Sequence, residues 1–477
     1  MAALGTEDNP LRVAIVGAGP SGFYAAEDLL KTREQGPVVD VDLYDRLPTP
    51  FGLVRGGVAP DHPKIKSVIK RYEKTARMPG FRFFGNVTIG EEITHEEMSG
   101  HYHAVIYTCG AETDRKLGIP GEELPGSHAA TEFVGWYNAH PDHADHSFDL
   151  SCERAVVIGN GNVAMDVARM LALPREELIE TDTADHAIEE MAGSSIREIV
   201  VFGRRGPAQA AFTNPELREL GELTDADLVI DSSELDLDEI SGSYISSEEA
   251  DATHKKNVEL LRQMASQPPR GKRKRVVLRF LSSPIEIKGD GKVESITIGI
   301  NRLVEEGGKV RAEDTGEREE LECGLVFRSV GYTGVPVAGV PFDQQRGTIA
   351  NERGRVLGDG GEPVPGLYTA GWIKRGPNGV IGTNKKDAAE TVAMLREDLE
   401  AGRIPARELP DPSAIEQLIV ERDHEAVTYA GWEAIDAAES AAGDPYGRPR
   451  IKFVRIADML EHAKTAASSA SRPGASG

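Results

Sequence analysis

Two short glycine-rich turns, each set between a run of β-forming residues and a helical pattern, constrain this chain more than any other feature. The first, Gly17-Ala18-Gly19-Pro20-Ser21-Gly22, follows Arg12 to Val16 and precedes the helical run Tyr24 to Leu30. The second, Gly159-Asn160-Gly161-Asn162-Val163-Ala164, follows Glu153 to Ile158 and precedes the run ending at Leu173. A repeated strand–turn–helix opening predicts an α/β chain with two doubly wound, Rossmann-like dinucleotide-binding domains. Val39 to Tyr44 and Ile199 to Gly203 read as the second strand of each sheet, and Ala104 to Thr108 and Leu325 to Val330 as buried strands where the chain crosses between domains. The second domain, 113–324, is then inserted into a discontinuous first one, 1–112 and 325–477. The acidic stretches Ile179 to Met191 and Asp225 to Asp251 read as surface insertions, and Thr465 to Gly477 as a disordered tail.

Each turn implies a nucleotide. Glycines let the backbone approach a pyrophosphate, while helix N-terminal amides and the positive end of the dipole hold the phosphates. After the first turn, Asp45 ends the next strand, where a carboxylate accepts from ribose hydroxyls and repels a 2′-phosphate; this site suits FAD or NAD. After the second, the next strand ends in Arg204-Arg205, two guanidiniums able to clamp a 2′-phosphate, which implies NADPH. Arg204 lies about twice the usual distance from its turn, which the acidic stretch between them accounts for. Near the end of the chain, Leu367 to Ala370 reads as a strand, and Gly376, Gly379 and Gly382 lead into a helix beginning near Asn384, so that amides can face a flavin. Trp372 either packs beside that ring or sits in the core.

Composition narrows the function. At 477 residues the chain exceeds the roughly 250–300 that one core supports. Its three cysteines, Cys109, Cys152 and Cys323, are widely spaced and form no Cys-x-x-Cys, excluding a redox dithiol, a zinc knuckle and an in-chain iron-sulfur cluster. A formal charge of −24 disfavours nucleic acid. No run approaches the ~18 apolar residues of a membrane span, and Met1 to Pro10 lacks a basic and apolar leader, so a cytoplasmic protein is expected.

Several longer stretches carry a resemblance. Phe51 to Arg55 with Val58 to Pro63, Gly159 to Asp166, Gly203 to Gly206 with Ala211 to Thr213, and Gly371 to Pro377 with Gly379 to Asn384 resemble the adrenodoxin reductase-like family of ferredoxin-NADP reductases, in its FprA-like bacterial branch. The resemblance implies an FAD-dependent ferredoxin-NADP reductase, with FAD in the outer domain, NADPH in the inserted one and an acidic ferredoxin as acceptor. It places FAD contacts on Ser21, Asp45, Leu53, Val87, Trp372, Gly379, Val380 and Ile381, and NADP contacts on Asn160, Gly161, Asn162, Val163, Arg204, Arg205, Glu216 and Gly379.

Hydride transfer needs proximity more than acid–base chemistry, and His62 and Glu216 are the candidates for orienting the nicotinamide and relaying a proton. His62 is equally readable as a cap in its proline-rich turn. The basic run Lys255, Lys256, Arg262, Arg270 and Lys272 to Arg275 offers an acidic partner a docking face near Lys255, Lys256 and Arg262. The rival readings are a thioredoxin-reductase-like enzyme, which needs a dithiol, an NADPH-oxidising subunit feeding another flavoprotein, and a non-catalytic NADPH-binding redox sensor.

Overall fold

A computed structural model describes residues 3–34 and 36–470. The chain divides into two units, the first built from residues 1–113 and 332–477, the second from 114–331.

In the first unit a seven-stranded sheet runs in the order Asn351–Glu352, Arg355–Leu357, Pro363–Thr369, Ala104–Tyr107, Leu11–Val16, Val39–Tyr44, Phe81–Phe84. The five strands from Pro363–Thr369 onward pair in parallel, with Val16 opposite both Tyr44 and Tyr107. Alternation along Leu11–Val16 feeds both faces. Leu11, Val13 and Ile15 pack with Phe23, Ala26 and Leu29 of the helix Pro20–Leu30 and with Ala388, Val392 and Leu395 of the helix Ile381–Glu400. Ala14 and Val16 face the other way, among Tyr44, Tyr107 and Ile373. A strand covered on both faces needs a continuous apolar run, which Leu11–Val16 supplies except at Arg12, whose Nη1 donates to the Pro410 carbonyl at 2.6 Å.

The second unit is built on a six-stranded parallel sheet, Ser127–Ala129, Leu325–Arg328, Arg154–Ile158, Glu198–Phe202, Lys274–Arg279, Ala226–Ile230. Two expectations change here. Leu325–Arg328 pairs with Arg154–Ile158, so the strand expected to begin the return to the first domain belongs to the second, and the return falls after Gly331. Asp225 to Asp251 is not a surface insertion throughout, because Ala226–Ile230 forms the sheet's edge strand. A three-stranded antiparallel sheet, Ser282–Lys288, Ser295–Glu306 and Lys309–Glu322, also lies in this unit; the sequence reading did not anticipate it. The outer strand of that sheet is mostly exposed and strongly charged.

The disordered tail expected from Thr465 is not found at that position, where the helix Ile456–Ala470 runs; residues 471–477 lie outside the described residues. No described helix is long and apolar enough to cross a membrane.

Candidate functional site

In the first unit the turn after Leu11–Val16 uses its three glycines differently. Gly17 has φ +109°, and a Cβ there would lie 2.7 Å from the carbonyl of Thr108. A Cβ on Gly22 would lie 2.2 Å from the Gly17 oxygen. A Cβ on Gly19 would meet nothing within 4 Å. Gly17 and Gly22 therefore pack the turn onto its own sheet, while Gly19, the N-cap of Pro20–Leu30, faces the open space a pyrophosphate needs. Pro20 at the first helical position removes an amide that would lack a partner.

Asp45 stands at the carboxyl end of Val39–Tyr44. Its Oδ2 accepts from the Ala18 amide at 2.9 Å and its Oδ1 from the Leu47 amide at 3.0 Å, tying the strand end to the glycine turn. Burial pushes its pKa up to about 6 despite those amides. Phe51, at φ +85°, donates its amide to the Ala18 carbonyl at 2.8 Å. A non-glycine residue in this conformation is a local strain of the kind held at functional loops. It brings Gly52 against Gly19, a Cβ on Gly52 lying 3.0 Å from the Gly19 Cα, and leaves the following Leu53 half exposed. Val87 is fully buried in the core and donates its amide to the Asp45 carbonyl at 2.9 Å, so any ligand contact from it runs through its main chain.

The glycine-rich segment near the chain's end meets the same site. Gly371, at φ +81°, comes so close to Ser21 that a Cβ would lie 2.2 Å from the Ser21 Oγ. Trp372 follows, its ring stacked on Tyr332 at 5.6 Å, with its indole N–H buried and without an acceptor among the described residues. The protein packing of one ring face on Tyr332 agrees with the core alternative for this tryptophan, and its buried indole N–H leaves a polar edge over. Gly379 (φ +78°) and the exposed Val380, whose amide donates to the Thr383 hydroxyl at 3.2 Å, lead into the N-terminus of Ile381–Glu400. The helix begins at Ile381, about a turn before the expected Asn384. The site offers a close-approach turn, a ribose acid and two helix N-termini, and these fit FAD.

In the second unit the turn repeats the design. Gly159 has φ +130° and a Cβ there would lie 2.1 Å from the Ser329 oxygen, while a Cβ on Gly161, the N-cap of Asn162–Ala172, would meet nothing within 4 Å. Asn160 packs onto Gly203, and Asn162 accepts the Thr213 amide at 2.8 Å; Val163 lies in the first helical turn. Arg204 and Arg205 leave the carboxyl end of Glu198–Phe202, and neither pairs with a carboxylate among the described residues. Burial and the neighbouring Arg204 charge lower the Arg205 pKa. Two adjacent guanidiniums without a counter-charge are an anion site, and a 2′-phosphate fits it.

His62 is buried at the N-cap of Pro63–Lys66, and its side chain makes no capping bond there. Glu216 is buried at the start of Asn214–Glu222, held by Arg169, which the sequence does not single out: its local signal, Asp166 three residues earlier, is that of an ordinary helix ion pair. The basic run is only partly available. Lys274 is buried, donates to the Leu171 carbonyl at 2.6 Å and is pulled down to about 8 by burial; Arg273 pairs with Asp225 and Arg275 with Glu198. Lys256 pairs with Glu259 at 2.7 Å, Lys255 donates to the Ser247 carbonyl at 2.7 Å and Arg262 to that of Leu235 at 3.3 Å. All three cysteines are free.

Two glycine turns, each at the carboxyl ends of parallel strands in its own unit, define a pyridine-nucleotide flavoprotein oxidoreductase, and residues 11–201 match the pyridine nucleotide-disulphide oxidoreductase family. The chain is 54% identical over 461 residues to the NADPH-ferredoxin reductase FprA of Mycobacterium tuberculosis, covering 94% of this chain and 98% of that protein. It is 41% identical to the mitochondrial NADPH:adrenodoxin oxidoreductase of Salvelinus fontinalis, over 95% of this chain and 91% of the relative. The structure of Mycobacterium tuberculosis FprA in complex with NADPH superposes with a TM-score of 0.89 at 52% identity, covering 96% of this chain and all of that one. The chain belongs to the FprA-type NADPH-ferredoxin reductase family.

Proposed function

We propose that this chain is an NADPH:ferredoxin oxidoreductase, with FAD held by the first unit, NADPH by the second, and a ferredoxin-type iron-sulfur protein as electron acceptor. The choice of nucleotide rests on the unpaired Arg204–Arg205 end of Glu198–Phe202. FAD, when bound, supplies acceptance of a hydride and its release as single electrons. The chain's own groups bind and orient. Asp45 accepts a ribose hydroxyl, and the amides at Gly19 and Ser21 face the pyrophosphate. The positive end of the 20-residue helix Ile381–Glu400, where Gly379, Val380 and Ile381 stand, favours negative charge placed before it. Arg204 and Arg205 grip the 2′-phosphate, and Asn160, Gly161, Asn162 and Val163 wrap the NADPH pyrophosphate. Glu216, held by Arg169, and His62 orient the nicotinamide and hold a proton for exchange. No general base is needed for the hydride itself.

The acceptor is acidic and docks near Lys255, Lys256 and Arg262, in the cytoplasm. Lys255 and Arg262 donate to backbone carbonyls, and neither pairs with a carboxylate among the described residues. Anaerobic stopped-flow mixing with NADPH, then with an oxidised acidic ferredoxin, tests the reading through flavin absorbance. Bleaching by NADPH followed by recovery with ferredoxin supports it; a purified protein that carries no flavin, or whose flavin NADPH leaves oxidised, overturns it.

A further inference from the structure

Three glycines in the left-handed region, Gly371 (φ +81°), Gly376 (φ +87°) and Gly379 (φ +78°), punctuate the segment that carries Trp372 and leads into Ile381–Glu400. Such a segment has little conformational preference of its own; Asn351 holds the Lys374 carbonyl at 3.0 Å, Thr383 the Val380 amide at 3.2 Å, and one buried carboxylate gathers the charged contacts. Asp387, mostly buried, accepts the Gly371 amide on Oδ2, pairs through Oδ1 with Lys374 Nζ at 3.1 Å, and through Oδ2 with Arg375 Nη1 at 3.2 Å. Lys374 also reaches Glu390 at 2.8 Å and the Thr391 hydroxyl at 3.2 Å, and Arg375 donates to the Asn384 side chain at 2.9 Å and the Asn378 carbonyl at 3.0 Å. Two cations thus face two carboxylates, with Lys374 and Asp387 each less than a tenth exposed. Buried ion pairs contribute little net stability relative to apolar packing, and their best-supported use is to fix one arrangement among several.

We propose that Asp387 is a positioning residue for the flavin site: it locks the one-turn helix Trp372–Arg375 onto Ile381–Glu400 and so sets where Trp372 and the amides at Gly379 to Ile381 stand. The inference rests on FAD occupying the first unit. An asparagine at 387 leaves the cluster with one excess positive charge and a single acceptor oxygen for three donors, Gly371, Lys374 and Arg375, with an NH2 turned on the remaining cation, so the hold on Gly371 loosens. Both consequences reach the flavin, the first through its potential and the second through alignment, where small misplacements cost roughly 10- to 100-fold in rate.

The test compares wild type, Asp387→Asn and the charge-balanced double variant Asp387→Asn with Lys374→Met, all as FAD-loaded full chains. Flavin midpoint potential, visible circular dichroism of the flavin, the FAD dissociation constant and anaerobic bleaching by NADPH are measured beside thermal melting. The single variant is expected to keep FAD, to shift the potential positive, to alter the flavin dichroism and to bleach on the order of tenfold slower. The double variant is expected to recover the potential but not the dichroism. Asp387→Asn protein with wild-type potential, dichroism and bleaching overturns the proposal. Should the single variant fail to fold, Asp387→Glu, which keeps the charge and shifts the carboxylate, is read by dichroism alone, and an unchanged spectrum is again fatal. Wild type that binds no FAD removes the parent reading and this one with it, and is distinguished by its lack of colour.

Discussion

Arg169 donates from Nη1 to Oε2 of Glu216 at 3.1 Å, deep enough that the arginine side chain is 3% exposed and the glutamate side chain 8%. The same guanidinium holds Asp166 at 2.7 Å and Glu219 at 3.4 Å. Deleting the shared cation removes a buried charge partner from Glu216 and Asp166, so Arg169→Ala is expected to destabilise the chain by about 3–5 kcal/mol. Urea unfolding checks this; a loss near zero would show that the arginine contributes little to holding these carboxylates.

The two outer roles of the first glycine turn separate experimentally. Gly17→Ala places a Cβ on the Thr108 carbonyl at positive φ and is expected to cost more than ~1 kcal/mol and lower the melting temperature of the apoprotein. Gly19→Ala meets no protein atom within 4 Å and should leave that melting temperature unchanged while lowering FAD occupancy, because its methyl group enters the ligand's space. Melting curves of apoprotein and flavin-to-protein ratios distinguish them.

Asp45 makes FAD retention pH-dependent. Its folded pKa, about 6, lies above the ordinary carboxylate value of ~3.9. Ionisation in the fold is therefore penalised above pH ~6, and the penalty is relieved as pH falls from there toward ~4. Asp45→Asn should accordingly raise the apoprotein's melting temperature more at neutral pH than near pH ~4. A carboxylate is the better ribose acceptor, so wild-type FAD affinity is expected to fall as pH drops through ~6, with a flatter profile in Asp45→Asn. Flavin-fluorescence titrations across this range read both.

Arg204→Ala and Arg205→Ala each remove charge-assisted hydrogen bonds of about 1.5–3 kcal/mol. Each should lower kcat/KM for NADPH by roughly 10- to 100-fold and leave that for NADH nearly unchanged. Equal losses with both nucleotides would place the arginines outside the 2′-phosphate site.

Reversing Lys255, Lys256 and Arg262 to Glu should raise KM for an acidic ferredoxin and flatten its dependence on ionic strength, while ferricyanide reduction stays at the wild-type rate. Parallel loss of both activities would sink the docking assignment.

What the sequence reveals here follows from the range of the interactions involved. The glycine turns, their strands and Asp45 announce themselves because a pyrophosphate site imposes small residues at fixed local spacing. Arg204-Arg205 is legible for the same reason, as a strand ending in cations where an acid is usual. Ala226–Ile230 was hidden by the acids flanking it, although its Leu228, Val229 and Ile230 are a strand-like run. The basic run looked like one patch because sequence shows charge but not partner. Lys274 proves buried and Arg273 and Arg275 neutralised by Asp225 and Glu198. Asp387 reaches back across a turn and Arg169 to another helix, and the i,i+3 spacing of Asp166 and Arg169 announces only an ordinary helix pair, not the hold on Glu216.

The pairing of Pro363–Thr369 with Ala104–Tyr107 has a consequence for how the protein is made. During synthesis the strand Ala104–Tyr107 emerges more than two hundred residues before its neighbour. Until Leu367 arrives, Val105 has no partner on that side, and the first sheet waits with a raw apolar edge. The inserted unit, whose strands all lie between Ser127 and Arg328, can finish first and shorten the loop that must close. The order of completion is thus inside before outside, and a ribosome that stalls within residues 114–331 strands a half-built sheet for chaperones to guard.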